Sequence, residues 1–174
     1  LEVFYSIYDL NGKRLFFQKQ KTQSIYNSIE ELFSGVMNEM SFTTVYLVRL
    51  QVKNQKGELL SENNYWKTNQ ENKDFKDFNL LSQSVFQISK VQKNDDQIIF
   101  LIENKSAVPA IGVKLNLCNN NNEIFLPSIF SDGYFTLLPG EKKSITVKFS
   151  NKEQTFRIRT EAYNSKEAYH SILN

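Results

Sequence analysis

Short runs in which apolar and polar side chains alternate, each closed by a turn signal, recur along almost the whole chain. Side chains of an extended strand point to opposite faces with a period of two, so such a run buries one face by joining a sheet. Val3-Phe4-Tyr5-Ser6-Ile7-Tyr8 reads as a strand. In Asp9-Leu10-Asn11-Gly12-Lys13 the Asn-Gly pair supplies the positive φ angles of a tight hairpin, and Arg14 to Gln18 returns. Thr43 to Lys53 places Tyr46, Val48, Leu50 and Val52 on one face and Arg49, Gln51 and Lys53 on the other. Asn54-Gln55-Lys56-Gly57 turns the chain, and Glu58 to Trp66 comes back. Ser24 to Gly35 departs from this rhythm, and there Ser28 and Glu31 fit a capping box for one helical turn closed by Gly35.

Lys67 to Asn79 is polar and does not alternate, a shift expected at a domain boundary near residue 80. The pattern then restarts in Val85–Lys93, Gln97–Glu103, Ala110–Cys118, Lys143–Phe149 and Thr155–Tyr163, with Arg157, Arg159 and Glu161 outward in the last. Turns are expected at Asn94-Asp95-Asp96, at the asparagine run 119–122 and at Leu138-Pro139-Gly140-Glu141. Roughly seven strands in about 95 residues make one immunoglobulin-like sandwich. The expected fold class is therefore all-β, with two tandem immunoglobulin-like β-sandwiches: 1–80, ending in a polar linker 67–80, and 81–174. Fourteen Phe and eight Tyr against six Gly and three Pro agree with a strand-rich chain.

The same residues argue against most chemistries. One histidine, His170, cannot make a zinc site or a histidine-dependent triad alone, and the glycines are spread singly, with no phosphate-cradling loop. No metal and no cofactor are expected. Net charge is +2 with the lysines scattered, so no basic stripe suited to nucleic acid is present. No apolar run approaches the ~20 residues that span a bilayer. Cys118, the one cysteine, lies in the apolar run 111–118 and reads as a core thiol. The acidic pairs Glu30–Glu31, Asp74–Asp77 and Asp95–Asp96 fall in polar turns or the linker and read as solvated charge. No catalytic residue is expected. The chain opens at Leu1 inside a strand pattern without an initiator Met, as expected of a piece of something longer.

Two segments are odd for plain strands. Asn64-Tyr65-Trp66 carries the one Trp and reads either as an aromatic plug at a sandwich end or domain joint, which burial of large aromatics favours, or as a sugar-stacking platform. Ser131-Asp132-Gly133-Tyr134-Phe135 breaks an apolar run that Pro127 also interrupts, consistent with an edge or bulge. It reads equally as a corner in which Asp132 bonds backbone N–H groups and as a docking loop.

The ordered set Ala110-Ile111-Gly112-Val113-Lys114-Leu115, Leu126-Pro127-Ser128-Ile129-Phe130-Ser131-Asp132-Gly133-Tyr134-Phe135 and Leu137-Leu138-Pro139-Gly140-Glu141 resembles the C-terminal immunoglobulin-like region of glycoside hydrolase family 2. The branch is that of β-mannosidase, exo-β-glucosaminidase and mannosylglycoprotein endo-β-mannosidase. Gly57 to Trp66, Asp74-Phe75 and Ala162-Tyr163-Asn164 fall where that branch has similar elements, while Gly133 replaces its usual Asn. The resemblance implies a non-catalytic accessory region acting beside a (β/α)₈ barrel upstream in an exported parent that hydrolyses β-mannosides or β-glucosaminides. The barrel of the same polypeptide is then the expected partner, with an oligosaccharide second. Tyr65, Trp66, Asp132 and Tyr134 are the expected interdomain or substrate-rim residues. The alternative is an independent carbohydrate-binding or adhesion module.

Overall fold

A computed structural model describes residues 1–23, 29–33, 45–69, 74–150 and 155–172; Ser28 and Gly35 of the helical-turn reading lie outside the described residues. Among the described residues the chain is nearly all β, with twelve strands in three antiparallel sheets and one short 3₁₀ helix. It divides into two compact units, Leu1–Leu80 and Leu81–Asn174.

In the first unit β1 (Glu2–Asp9), β2 (Arg14–Lys21), β3 (Val45–Lys53) and β4 (Leu59–Thr68) form one sheet in the order β2-β1-β3-β4. The register sets Tyr5 opposite Leu50 and Ile7 opposite Val48, which gathers the apolar positions of the alternating runs on one face. There Tyr5, Ile7 and Tyr46 are buried, with Phe16, Phe33, Val48 and Leu50 packed on them. The other face is less solvated than the alternation predicts, for Leu47 is buried and Arg49 is only 5% exposed. Arg49 survives there because it has partners. Its Nε donates to Asn64 Oδ1 at 2.8 Å and lies 3.9 Å from Glu62. Glu62 in turn accepts from Gln51 at 2.6 Å and Asn64 at 3.1 Å.

The hairpins show how local chemistry sets register. The side-chain oxygens of Asp9 and Asn54 each accept backbone N–H groups two and four residues on, and the residue three on, Gly12 or Gly57, is left-handed. Asn119 repeats the geometry in the second unit, with Asn122 in the left-handed position. Asn11 is not left-handed, so the first hairpin has one positive φ angle, not two. A type I turn followed by a single left-handed residue satisfies the Asp9 carboxylate, and that choice moves the strand pairing by one residue between Ile7 and Tyr8.

The described residues of the polar stretch after Trp66 are regular. Lys67 and Thr68 continue β4, and Lys76–Leu80 form the 3₁₀ helix. Phe78 meets Trp66 edge-on at 5.1 Å, and Phe75 lies 5.5 Å from Phe78. These phenylalanines tie residues 75–78 to Trp66 of β4.

The second unit is a two-sheet sandwich built from β5 (Phe86–Lys93), β6 (Gln97–Asn104), β7 (Ala110–Cys118), β8 (Ser128–Phe130), β9 (Phe135–Leu137), β10 (Lys142–Phe149), β11 (Phe156–Glu161) and β12 (Ala168–Ile172). The sheets run β5-β6-β10-β8 and β12-β11-β7-β9. Ile98, Phe100, Ile102, Ile145 and Val147 of one share a core with Val113, Leu115, Leu117, Phe156 and Ile158 of the other. The final strand β12 is not legible as an alternating run; it is set by pairing with β11, which brings His170 Nε2 within 3.0 Å of the Thr160 hydroxyl. Two buried asparagines fasten strand ends. Asn104 donates to the carbonyls of Val108, Leu137 and Leu138, and Asn164 donates to those of Ser82 and Pro109 and accepts from Ile111 N–H.

Candidate functional site

Tyr65 and Trp66 belong to the first unit, Asp132 and Tyr134 to the second. Being adjacent on β4, Tyr65 and Trp66 point to opposite faces of the sheet. Tyr65 pairs across to Val48 and stays 45% exposed, whereas Trp66 pairs across to Leu47 and is met edge-on by Phe78. The Trp66 ring is thus engaged within its own unit. Tyr65 is the more open of the two.

Ser131-Asp132-Gly133-Tyr134 connect β8 of one sheet to β9 of the other. A chain that changes sheets must leave the ladder, which is the physical reason Asp and Gly interrupt this apolar run. Ser131 N–H donates to Thr146 O at 2.8 Å, and Thr146 N–H donates back to Ser131 Oγ at 3.0 Å. Asp132 accepts from Gly133 N–H at 2.7 Å and pairs with Lys143 Nζ at 2.8 Å. Its carboxylate therefore has the corner role. Tyr134 differs: its backbone is left-handed at φ 57° while the residue is 72% exposed.

The sequence reading missed the outer face of the β12-β11-β7-β9 sheet as a surface. Glu161 is paired with Lys114, and the next row is Asn116, Arg159 and Tyr169. Lys114 Nζ lies 2.7 Å from Glu161, which holds the Lys114 ammonium above and the Glu161 carboxyl below its ordinary pKa. Tyr134 is near enough to Lys114 to act on it electrostatically. Arg159 pairs with Glu167 at 3.3 Å, and the Tyr169 hydroxyl donates to the same carboxylate. Asn116 Nδ2 and Arg159 Nε are buried side-chain donors with no protein acceptor. The signal for half of this surface was in the alternation of β11; the strand that completes it, β12, was not. Cys118 is fully buried, and burial pushes its thiol pKa up, away from a reactive thiolate. Among the described residues no group of three metal-ligating side chains forms.

Residues 63–165 match the profile of the exo-β-D-glucosaminidase Ig-fold domain, more than half of the chain. The chain belongs to this family. An exo-β-D-glucosaminidase of Hypocrea virens is 26% identical over 170 residues, covering 84% of this chain and 19% of the relative. That of Hypocrea jecorina is 27% identical over 169 residues, covering 80% and 18%. The exo-chitosanase CsxA of Amycolatopsis orientalis superposes with TM-score 0.75 at 18% identity, over 98% of this chain and 23% of its own. This glucosaminidase Ig-fold chain thus spans about a fifth of the length of the curated relatives it matches. The family 2 glycoside hydrolase resemblance read from the Leu-Pro, Ser-Asp-Gly-Tyr-Phe and Leu-Pro-Gly-Glu elements is the relationship found.

Proposed function

We propose that the chain is the non-catalytic accessory region of a family 2 glycoside hydrolase acting on β-linked glucosaminides, with residues 1–80 and 81–174 as two domains that brace the catalytic barrel. The observation that carries this reading is the glucosaminidase Ig-fold match across residues 63–165 in a chain about a fifth as long as the relatives. The relatives are named for glucosaminides, which favours that substrate class over mannosides. Of the four expected interdomain or substrate-rim residues, Tyr65 and Tyr134 are the open ones; Tyr65 makes the contact with the barrel, Tyr134 stays open at the rim, and Trp66 and Asp132 shape the elements that carry them. Covering the Tyr65 ring would contribute about 1.5–3 kcal/mol to that contact.

The test is expression of the parent's remaining polypeptide without this region, followed by addition of chain 1–174 in trans. Restored thermal stability and glucosaminidase activity are expected, with a smaller recovery for Tyr65→Ala. Release of glucosamine from chitosan by chain 1–174 alone would overturn the reading.

A further inference from the structure

We propose that the outer face of the β12-β11-β7-β9 sheet is a binding surface for a β-linked amino-sugar oligomer. The Tyr134 ring is its stacking platform, and Glu161 is the carboxylate that meets the sugar ammonium. The choice of an amino sugar rests on the glucosaminidase reading above, while the surface itself rests on the residues.

The first observation is Tyr134. A left-handed backbone costs free energy for any residue with a Cβ, and Tyr134 does not recover it by burying its ring. The corner around it is tied by the Ser131–Thr146 and Asp132–Lys143 contacts, while the ring stays open. The second observation is the row beside it. Lys114 pairs with Glu161 on adjacent strands, and Val113 with Phe135, so Tyr134, the residue just before β9, lies at the β9 end of the row that Lys114 and Glu161 form. That row has an aromatic ring at one end and a carboxylate at the other. The third is the next row, where Asn116 Nδ2 and Arg159 Nε, on directly paired residues, lack acceptors. Both atoms are buried, so they are unmet donor capacity beneath the row, which a water carried in with a hydroxyl-rich ring meets once the side chains turn outward.

The residues between Tyr134 and Tyr169 are charged or amide-bearing, so an apolar protein surface would find no partner there. Lys114 already occupies Glu161, but both side chains are about one-third exposed. Such pairs add little to stability, so a ligand ammonium can take the place of the Lys114 amine.

The experiment is calorimetric titration of chain 1–174 with a glucosamine hexamer, at a pH that keeps the amines protonated, and with cellohexaose as the neutral comparison. Saturable binding of the glucosamine hexamer and weaker binding of cellohexaose are expected. Tyr134→Gly should weaken binding by about tenfold or more without lowering the melting temperature, because glycine adopts the left-handed backbone freely. Glu161→Gln should bring the two sugars together in affinity. No saturable binding, an unchanged Tyr134→Gly affinity, or equal binding of both sugars by the unsubstituted chain would each overturn the proposal. The bracing role is read by recovery in trans, so its failure would be seen separately.

Discussion

Asn164→Ala tests the packing logic of the second unit. The Asn164 side chain donates to Pro109 O at 2.9 Å and Ser82 O at 3.1 Å and accepts from Ile111 N–H at 3.2 Å. It thereby joins the approach to β5, the start of β7 and the segment after β11 through a residue that is only 8% exposed. Its own carbonyl still accepts from Ser84 N–H at 2.7 Å after truncation, so only the three side-chain bonds are lost. Each is worth about 1 kcal/mol net, and a buried donor or acceptor left without a partner costs about 1–3 kcal/mol. The expected loss is about 3–5 kcal/mol, on the order of 15–25 °C in the melting temperature of a domain this size. Denaturant unfolding followed by far-ultraviolet circular dichroism would measure it. Asn164→Asp should rescue little, because a carboxylate accepts from Ile111 but cannot donate to the two carbonyls. A loss below about 1 kcal/mol in Asn164→Ala would refute the reasoning, since surface substitutions reach about 0.5 kcal/mol without any clamp.

Two further outcomes follow from the same structure. His170 is partly buried, and burial lowers its pKa from the ordinary 6.5. The folded state therefore binds fewer protons than the unfolded one, and stability should fall as pH drops through about 6.5 towards the lowered folded value. The carboxylates of Glu103 and Glu161, whose pKa values are held below 4.5, add their loss only at more acid pH. Melting temperatures between pH 7 and 5 should flatten in His170→Gln; an unchanged slope would refute the assignment. Phe78→Ala should uncover Trp66, shift its emission to longer wavelength and cost about 1–2 kcal/mol. An unmoved emission maximum would show that the 3₁₀ segment does not cover the ring.

Local composition determined what is local about this protein. Period-two alternation set which residues form strands, because a strand must turn its apolar side chains to one face whatever it pairs with. Asx residues with Gly or Asn three positions on set the hairpins, because side-chain oxygen and left-handed backbone act within five residues. The family elements from Ala110 to Glu141 were legible for the same reason, being contiguous. Tertiary pairing decided the rest. Whether Arg49 on the polar side of β3 is solvated depends on Asn64 and Glu62 across the sheet, not on its neighbours in sequence. That Asp132 is a corner while Tyr134 is presented depends on β8 and β9 belonging to different sheets. The row that joins Tyr134 to Lys114 and Glu161 exists only through two strand registers, and register is a long-range choice because each strand's free energy is realised on the face its partners cover.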